Sequence, residues 1–354
     1  MKIVVIPGDG IGAETMAATV EVLHAASKRY SLELELVDEI AGHASLARHG
    51  ATVTPELLER VRAADGLMLG PMSTFEFKDE GRGEINPSKF FRKELDLFAN
   101  IRPARTYAGM PARLGAMDLV VVRENTEGFY ADRNVESGSS EILVTRDVVI
   151  SLRRITRHCC ERIARAAFAL AMTRRRHLSV VHKANVLKIG DGMFLDICRA
   201  VAKEFPAVRV DEFIVDAMMA HVVRDPKRFD VIVTTNMFGD ILSDLTAEIS
   251  GSLGMGGSLN VGLDHAMGQA AHGSAPDIAG RDVANPFSLV LSAGMLLEWF
   301  GAKSGNADFV SAAQAISSGV AGAIESGECT KDAGGRLGTR ATGAALAQRL
   351  SVGR

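Results

Sequence analysis

Short apolar runs rich in Val, Ile and Leu alternate along this chain with longer stretches whose apolar positions recur at helical spacing. The runs predict strands at Lys2 to Ile6, Leu34 to Asp38, Gly66 to Leu69, Leu119 to Arg123, Leu178 to His182, Val210 to Val215 and Val231 to Thr235. The amphipathic stretches predict helices at Ala13 to Ser27, Pro55 to Arg62, Val148 to Ala171, Gly192 to Glu204 and Asn285 to Trp299. Thr54-Pro55 and Asn285-Pro286 look like helix starts, since a polar cap and a first-turn Pro both suit the free N–H groups there. Strands alternating with helices indicate an α/β fold with a largely parallel sheet. No repeat or low-complexity linker divides the chain, and Gly251 to Gly262, its loosest segment, is expected to be a hinge or crossover between two lobes.

Composition narrows the picture. The 354 residues are 47% hydrophobic and 23% charged, which is ordinary globular usage and enough chain for a substantial core. A net charge of -3 with interspersed signs leaves no broad positive field, which argues against nucleic acid as a partner. The run Arg174-Arg175-Arg176-His177 is expected at a helix C-terminus, where positive charge suits the helix dipole. Apolar stretches such as Ile163 to Met172 are interrupted and too short for a bilayer, and the start MKIVVIPGDGIG reads as a strand and turn, so a cytoplasmic protein is expected. Cys159, Cys160, Cys198 and Cys329 lack zinc-ligand spacing and read as reduced, buried thiols.

Three groups of residues could carry chemistry. Gly8-x-Gly10-x-x-Ala13 after a strand has Rossmann spacing, with Asp38 at a plausible distance, but Asp9 would set a negative charge against a pyrophosphate, so a structural turn is favoured. Asp240 and Asp244 are four apart after a strand and share one face if a helix begins there, while Asp216 ends another strand. Carboxylates without Cys or His favour Mg²⁺ or Mn²⁺ over zinc; solvated helix-capping aspartates are the competing reading. Arg92, Arg102 and Arg123 form a complementary set suited to carboxylates, although any one alone reads as a salt bridge.

Taken together, IPGDGIG at Ile6 to Gly12, LDLFANIRP at Leu95 to Pro103, VVRENTEGFY at Val121 to Tyr130, HKANVLK at His182 to Lys188, VDAM at Val215 to Met218, NMFGDILSD at Asn236 to Asp244 and HGSAPDIAG at His272 to Gly280 resemble the β-decarboxylating dehydrogenases. That family includes isocitrate, homoisocitrate, 3-isopropylmalate and tartrate/D-malate enzymes. The resemblance implies two α/β domains around a central cleft, residues 1–99 with 252–354 binding the cofactor and residues 100–251 carrying the metal site and a dimer interface. It also implies a homodimer with shared active sites.

Carried over by motif, the resemblance makes Arg92, Arg102 and Arg123 a clamp on malate-like carboxylates and Asp216, Asp240 and Asp244 the metal ligands, one of them from the neighbouring subunit. Lys183 becomes the residue that helps take the hydroxyl proton, also across the interface, and Tyr130 the acid that protonates the enol product. The cofactor is placed not on a Rossmann fold but against His272, Gly273, Ser274, Ala275, Asp277 and Ile278, with Asn285 near the adenine and Thr74 near the nicotinamide. Asp277 and Ile278 stand where NADP-dependent relatives carry a basic residue and Tyr; a carboxylate accepts from the ribose hydroxyls and repels a 2′-phosphate, so NAD is expected.

Substrate choice rests on Ser88 and Asn86, four and six residues before Arg92. Isopropylmalate enzymes resemble one another in a Leu at the nearer position; isocitrate enzymes place Ser and Asn at these two positions, here in reversed order. A polar pair facing an isopropyl group would cost roughly 1 to 3 kcal/mol per unsatisfied group, so a polar or small substituent is expected, as in isocitrate, tartrate or D-malate. Gln269-Ala270-Ala271 replaces the Glu-Pro-Val run of many relatives. A non-catalytic regulatory subunit is the main alternative, but such subunits typically lose a metal ligand or the lysine, and this chain keeps both.

Overall fold

The computed structural model describes residues 1–110, 114–130 and 140–352. Its strands are β1 (Lys2–Ile6), β2 (Glu35–Asp38), β3 (Gly66–Leu69), β4 (Ala99–Arg105), β5 (Asp118–Glu124), β6 (Glu141–Thr145), β7 (Val148–Ser151), β8 (His177–His182), β9 (Arg209–Ile214), β10 (Val231–Thr234), β11 (Leu259–Val261) and β12 (Ala266–Gln269). Its helices are α1 (Gly12–Tyr30), α2 (His43–His49), α3 (Pro55–Arg62), α4 (Pro87–Glu94), α5 (Arg157–Thr173), α6 (Gly190–Ala202), α7 (Val215–Arg224), α8 (Asn236–Ser250), α9 (Phe287–Ser304), α10 (Ala307–Glu325) and α11 (Thr339–Val352).

Ten strands form one mixed sheet in the order β2-β1-β3-β12-β11-β4-β5-β10-β8-β9. The arms are parallel, as the buried runs of Val, Ile and Leu require. The centre is antiparallel, where β11 pairs with both β12 and β4, and β4 with β5. The apolar cores divide along the same line. Two draw their buried members from the chain ends, with Met110 the exception, and two draw them from Phe98 to Ile249. The segment Gly251 to Gly262 leads from α8 to β11, so it does carry the chain between the two sets of cores.

One expected helix is corrected. Val148 to Ala171 is not continuous: Val148–Ser151 is strand β7, paired antiparallel with β6, and α5 begins only at Arg157. The β-branched Val-Val-Ile run continues the apolar pattern of the helix but prefers extended backbone, and the Thr156 hydroxyl sets the helix start by accepting from Cys159 N–H at 3.2 Å. The basic run does follow α5, and Arg174 is fixed by Asp230 at 2.7 Å and Asp118 at 2.8 Å. All four cysteines are free and buried. Among the described residues no helix is long and apolar enough to cross a membrane.

Candidate active site

The arginines and acids meet because of sheet register. In the β4–β5 pair Asn100 lies opposite Arg123 and Arg102 opposite Val121, so Arg102 and Arg123 project from the same face, the one on which α8 packs. Gly239 makes that packing possible, since a Cβ there would stand 2.6 Å from Cγ of Arg123. Arg123, only 3% exposed, donates to the Asn236 side-chain oxygen from Nε at 3.1 Å and from Nη2 at 2.7 Å, and its Nη1 bonds Asp240. Nη1 of Arg102 lies 3.3 Å from Asp240 and 3.2 Å from Asp244, and also donates to the Ser243 hydroxyl at 2.7 Å. One guanidinium nitrogen thus touches both carboxylates, which confirms the one-face geometry of the i, i+4 pair on α8.

Arg92 on α4 completes the basic set. Its guanidinium is held down to about 9 by burial and by the charges of Arg123 and Arg102; Arg123 is lowered to about 10 by burial and Arg102. The Nε atoms of Arg92 and Arg102 are buried with no acceptor among the described residues. Concentrated guanidinium charge with unused donors calls for an anionic ligand. Asp244 is raised above the usual carboxylate range by burial, opposed by Arg102 and reinforced by its neighbour Asp240.

Within this chain Asp216 does not join Asp240 and Asp244. It lies in the first turn of α7 and accepts from Nζ of Lys183, which holds the Asp216 carboxyl below its ordinary value. Among the described residues no three His, Cys, Asp or Glu side chains stand together as a metal site. The chain thus holds two separate charged groups, Asp240 and Asp244 with the arginines and Lys183 with Asp216. Ile189, 91% exposed, and Val186 lie just after Lys183, and exposed Ile241 adjoins Asp240. Tyr130 is exposed at the edge of the described residues.

The predicted cofactor loop is built as a unit with the N-terminal turn. A Cβ on Gly10 would lie 2.0 Å from the Ser274 carbonyl, which accepts from Ile11 N–H at 2.9 Å. Asp9 accepts from the N–H groups of His43 at 3.0 Å and Ser73 at 2.9 Å, so the Rossmann-like spacing is spent on the protein's own backbone. Next to it lies a cavity of about 800 Å³ lined by His272, Gly273, Ala275, Ile278 and Asn285, five of the residues expected at the cofactor. Asp277 is exposed between two of them. Ser274 faces inward instead, accepting from the Ser73 hydroxyl at 2.9 Å, and Thr74 is exposed one residue beyond. Ala275 takes a left-handed φ of 38°, a strain that a non-glycine residue tolerates mainly at functional turns. Burial holds the His272 imidazole below its ordinary pKa.

The sequence profile described as isocitrate/isopropylmalate dehydrogenase matches residues 2–347 of this chain. The chain belongs to that family. It is 41% identical over 339 residues to 3-isopropylmalate dehydrogenase of Archaeoglobus fulgidus, covering 96% of each protein. It is 40% identical over 350 residues to isocitrate/homoisocitrate dehydrogenase of Thermus thermophilus, covering 99% of this chain and 98% of the relative. The crystal structure of isocitrate dehydrogenase from Methylococcus capsulatus superposes with a TM-score of 0.87 at 37% identity, covering 99% of both chains. The fold is isocitrate dehydrogenase-like, and the chemistry is that of a β-decarboxylating dehydrogenase of the isocitrate/isopropylmalate class.

For this family member, sequence reasoning overlooked several residues at the two sites. Lys331 and Asp332 also line the cavity beside His272 and Asn285, and Asp332 accepts from the Asn285 amide at 2.9 Å. Their signal was Thr330-Lys331-Asp332 followed by Gly334-Gly335, a polar, glycine-rich turn between apolar helices. Asn86 is partly committed elsewhere, its side-chain oxygen capping α4 by accepting from Lys89 N–H at 3.2 Å. Gln269, noted only as a departure, reaches both Ser88 and Arg92.

Proposed function

We propose that this protein is a homodimer that uses NAD and a divalent metal to oxidise and decarboxylate a 2-hydroxy diacid with a polar substituent. The observation that carries the reading is the convergence of Arg102 and Arg123 on Asp240 and Asp244 at one sheet face. The two acids fit a hard divalent cation: they are oxygen donors held side by side, with no thiol or imidazole among their partners. Asp216 of a second copy would complete the ligand set. Bound there, Mg²⁺ or Mn²⁺ would supply Lewis-acid polarisation of the substrate oxygens.

The chain's own groups account for the rest. Arg92, Arg102 and Arg123 hold the carboxylates and neutralise them. Lys183, once Asp216 turned to a metal and the lysine amine gave up a proton, would hold the proton lost by the hydroxyl, and Tyr130 would supply the proton returned to carbon; a bound nicotinamide would supply the hydride acceptor. A second copy is supported by exposed apolar surface where a partner would lie: Ile142, Leu143, Val144, Val148, Val149 and Ile150 on the β6–β7 hairpin, and Ile189 beside Lys183. NAD is supported by Asp277, since the cofactor loop offers a carboxylate and no cation at this position.

Polarity of the substrate is supported by Gln269. A guanidinium only donates, so the Gln269 oxygen must face Arg92, at 3.1 Å, and its nitrogen must face the Ser88 oxygen, at 2.5 Å. Ser88, accepting from Gln269, then keeps its own hydrogen to donate. The subsite thus offers a hydroxyl donor and a guanidinium whose hydrogen-bond partner among the described residues is a neutral amide, which suits a carboxylate or hydroxyl substituent. The test is a panel of isocitrate, tartrate, D-malate and 3-isopropylmalate with NAD or NADP and Mn²⁺, following reduced cofactor and CO₂. NAD-dependent turnover of a polar member is expected; preference for NADP refutes the cofactor reading, and preference for isopropylmalate refutes the substrate reading.

A further inference from the structure

Between β7 and α5 runs Arg153, a residue outside every motif noted in the sequence, with a side chain only 11% exposed. It forms an ion pair of 2.6 Å with Asp191, which is 0% exposed. It also donates to the Thr235 hydroxyl at 3.1 Å, and its guanidinium lies over the rings of Phe129 and Phe238, 5.8 and 5.7 Å from their centroids. Each partner adjoins a residue of the proposed mechanism. Asp191 accepts the backbone N–H of Lys183 at 2.6 Å, Phe129 precedes Tyr130, Thr235 stands just before α8, and Phe238 lies in its first turn before Asp240.

Burying most of an ion pair costs desolvation that a pair of apolar side chains would avoid, so such a pair is weak evidence for stability, and the geometry it enforces is the better explanation. We infer that Arg153 and Asp191 are positioning residues that fix the Lys183 turn relative to α8 and to the Phe129–Tyr130 segment. Asp191 holds the turn directly, through the one backbone N–H that sets where the Lys183 side chain departs. One nitrogen of Arg153, Nη2, then reaches both that carboxylate and the Thr235 hydroxyl before α8, while its planar guanidinium lies over Phe129 and Phe238, a stacking that a lysine cannot reproduce. The role rests on the functions proposed for Lys183 and Tyr130. In the proposed dimer Lys183 and Asp240 of one chain serve different active sites, so this buried pair also joins the two sites to each other.

The test compares wild type with Arg153→Lys, Asp191→Asn and the double variant. Arg153→Lys keeps the charge and is expected to fold, yet to lower kcat about 10- to 100-fold through misplacement of the lysine turn. The KM for hydroxy acid should stay within about threefold, because ground-state binding belongs to the arginines. The double variant should be no worse than the poorer single one, since both break one contact chain. Hydrogen exchange gives a readout independent of activity: in both single variants the Lys183 amide should exchange about tenfold faster than in wild type.

Wild-type kcat in Arg153→Lys, or unchanged protection of the Lys183 amide in both variants, overturns the inference. So does full additivity in the double variant. If Asp191→Asn does not fold, Arg153→Lys decides alone. A wild type that oxidises no hydroxy acid removes the proposed function, whereas the exchange measurement still decides whether this pair holds the Lys183 turn.

Discussion

Replacing Gln269 by Glu changes one atom of a buried side chain and should reverse the hydrogen-bond sense of the subsite. In the wild type the Gln269 amide donates to Ser88 and leaves the serine hydrogen for substrate. A carboxylate at 269 can only accept, so Ser88 would donate to it, and Arg92 would gain an ionic partner in place of a neutral one. A substrate carboxylate would then lose a charge-assisted hydrogen bond of about 1.5 to 3 kcal/mol, or about 10- to 100-fold in kcat/KM. An alkyl-substituted substrate loses no such bond. The assay is steady-state kcat/KM for isocitrate and 3-isopropylmalate with saturating NAD and Mn²⁺, expressed as a ratio. A fall of about tenfold or more in that ratio is expected; equal losses for both substrates would show that Gln269 acts through general electrostatics and would refute the hydrogen-bond argument.

Other consequences can be checked separately. Gly239→Ala puts a Cβ 2.6 Å from Arg123 Cγ, so it should cost about 1 to 3 kcal/mol in urea unfolding and lower kcat/KM by displacing the guanidinium. Glu124, raised to about 7 by burial, favours the protonated form when folded, so its contribution to stability is present below its ordinary pKa of 4.5 and is lost as pH rises through 7. Glu124→Gln should remove up to about 3 kcal/mol of that decline between pH 5 and 8, and an unchanged slope of stability against pH would disprove it. Asp240 and Asp244 trade arginine partners for a cation most readily when a dicarboxylate takes the arginines, so Mn²⁺ and substrate should each tighten the other, by about 1 to 3 kcal/mol in calorimetric titration. Asp240→Asn should abolish this synergy while leaving NAD binding intact.

Much of this was legible from the chain because parallel strands announce themselves. Lys2 to Ile6 and Gly66 to Leu69 are buried on both faces and appear where their apolar runs predict. The i, i+4 spacing of Asp240 and Asp244 likewise fixed their shared face before any coordinates. The β6–β7 hairpin was not legible, since its exposed β-branched residues mimic the apolar stripe of the following helix. Nor was the central pair of short strands β11 and β12, three and four residues long and rich in Gly and Asn nearby. Arg153 and Asp191 were invisible for a different reason: a buried ion pair between residues 38 apart leaves no local spacing to read.

The division of Lys183–Asp216 from Asp240–Asp244 within one chain puts the central claim within reach of a single mixing measurement. Lys183→Met and Asp240→Asn, each inactive alone, are mixed in equal amounts and their subunits exchanged. Heterodimers then hold one intact site of two, and about one quarter of wild-type activity should return. Verified heterodimers that stay inactive would contradict a site shared between two copies.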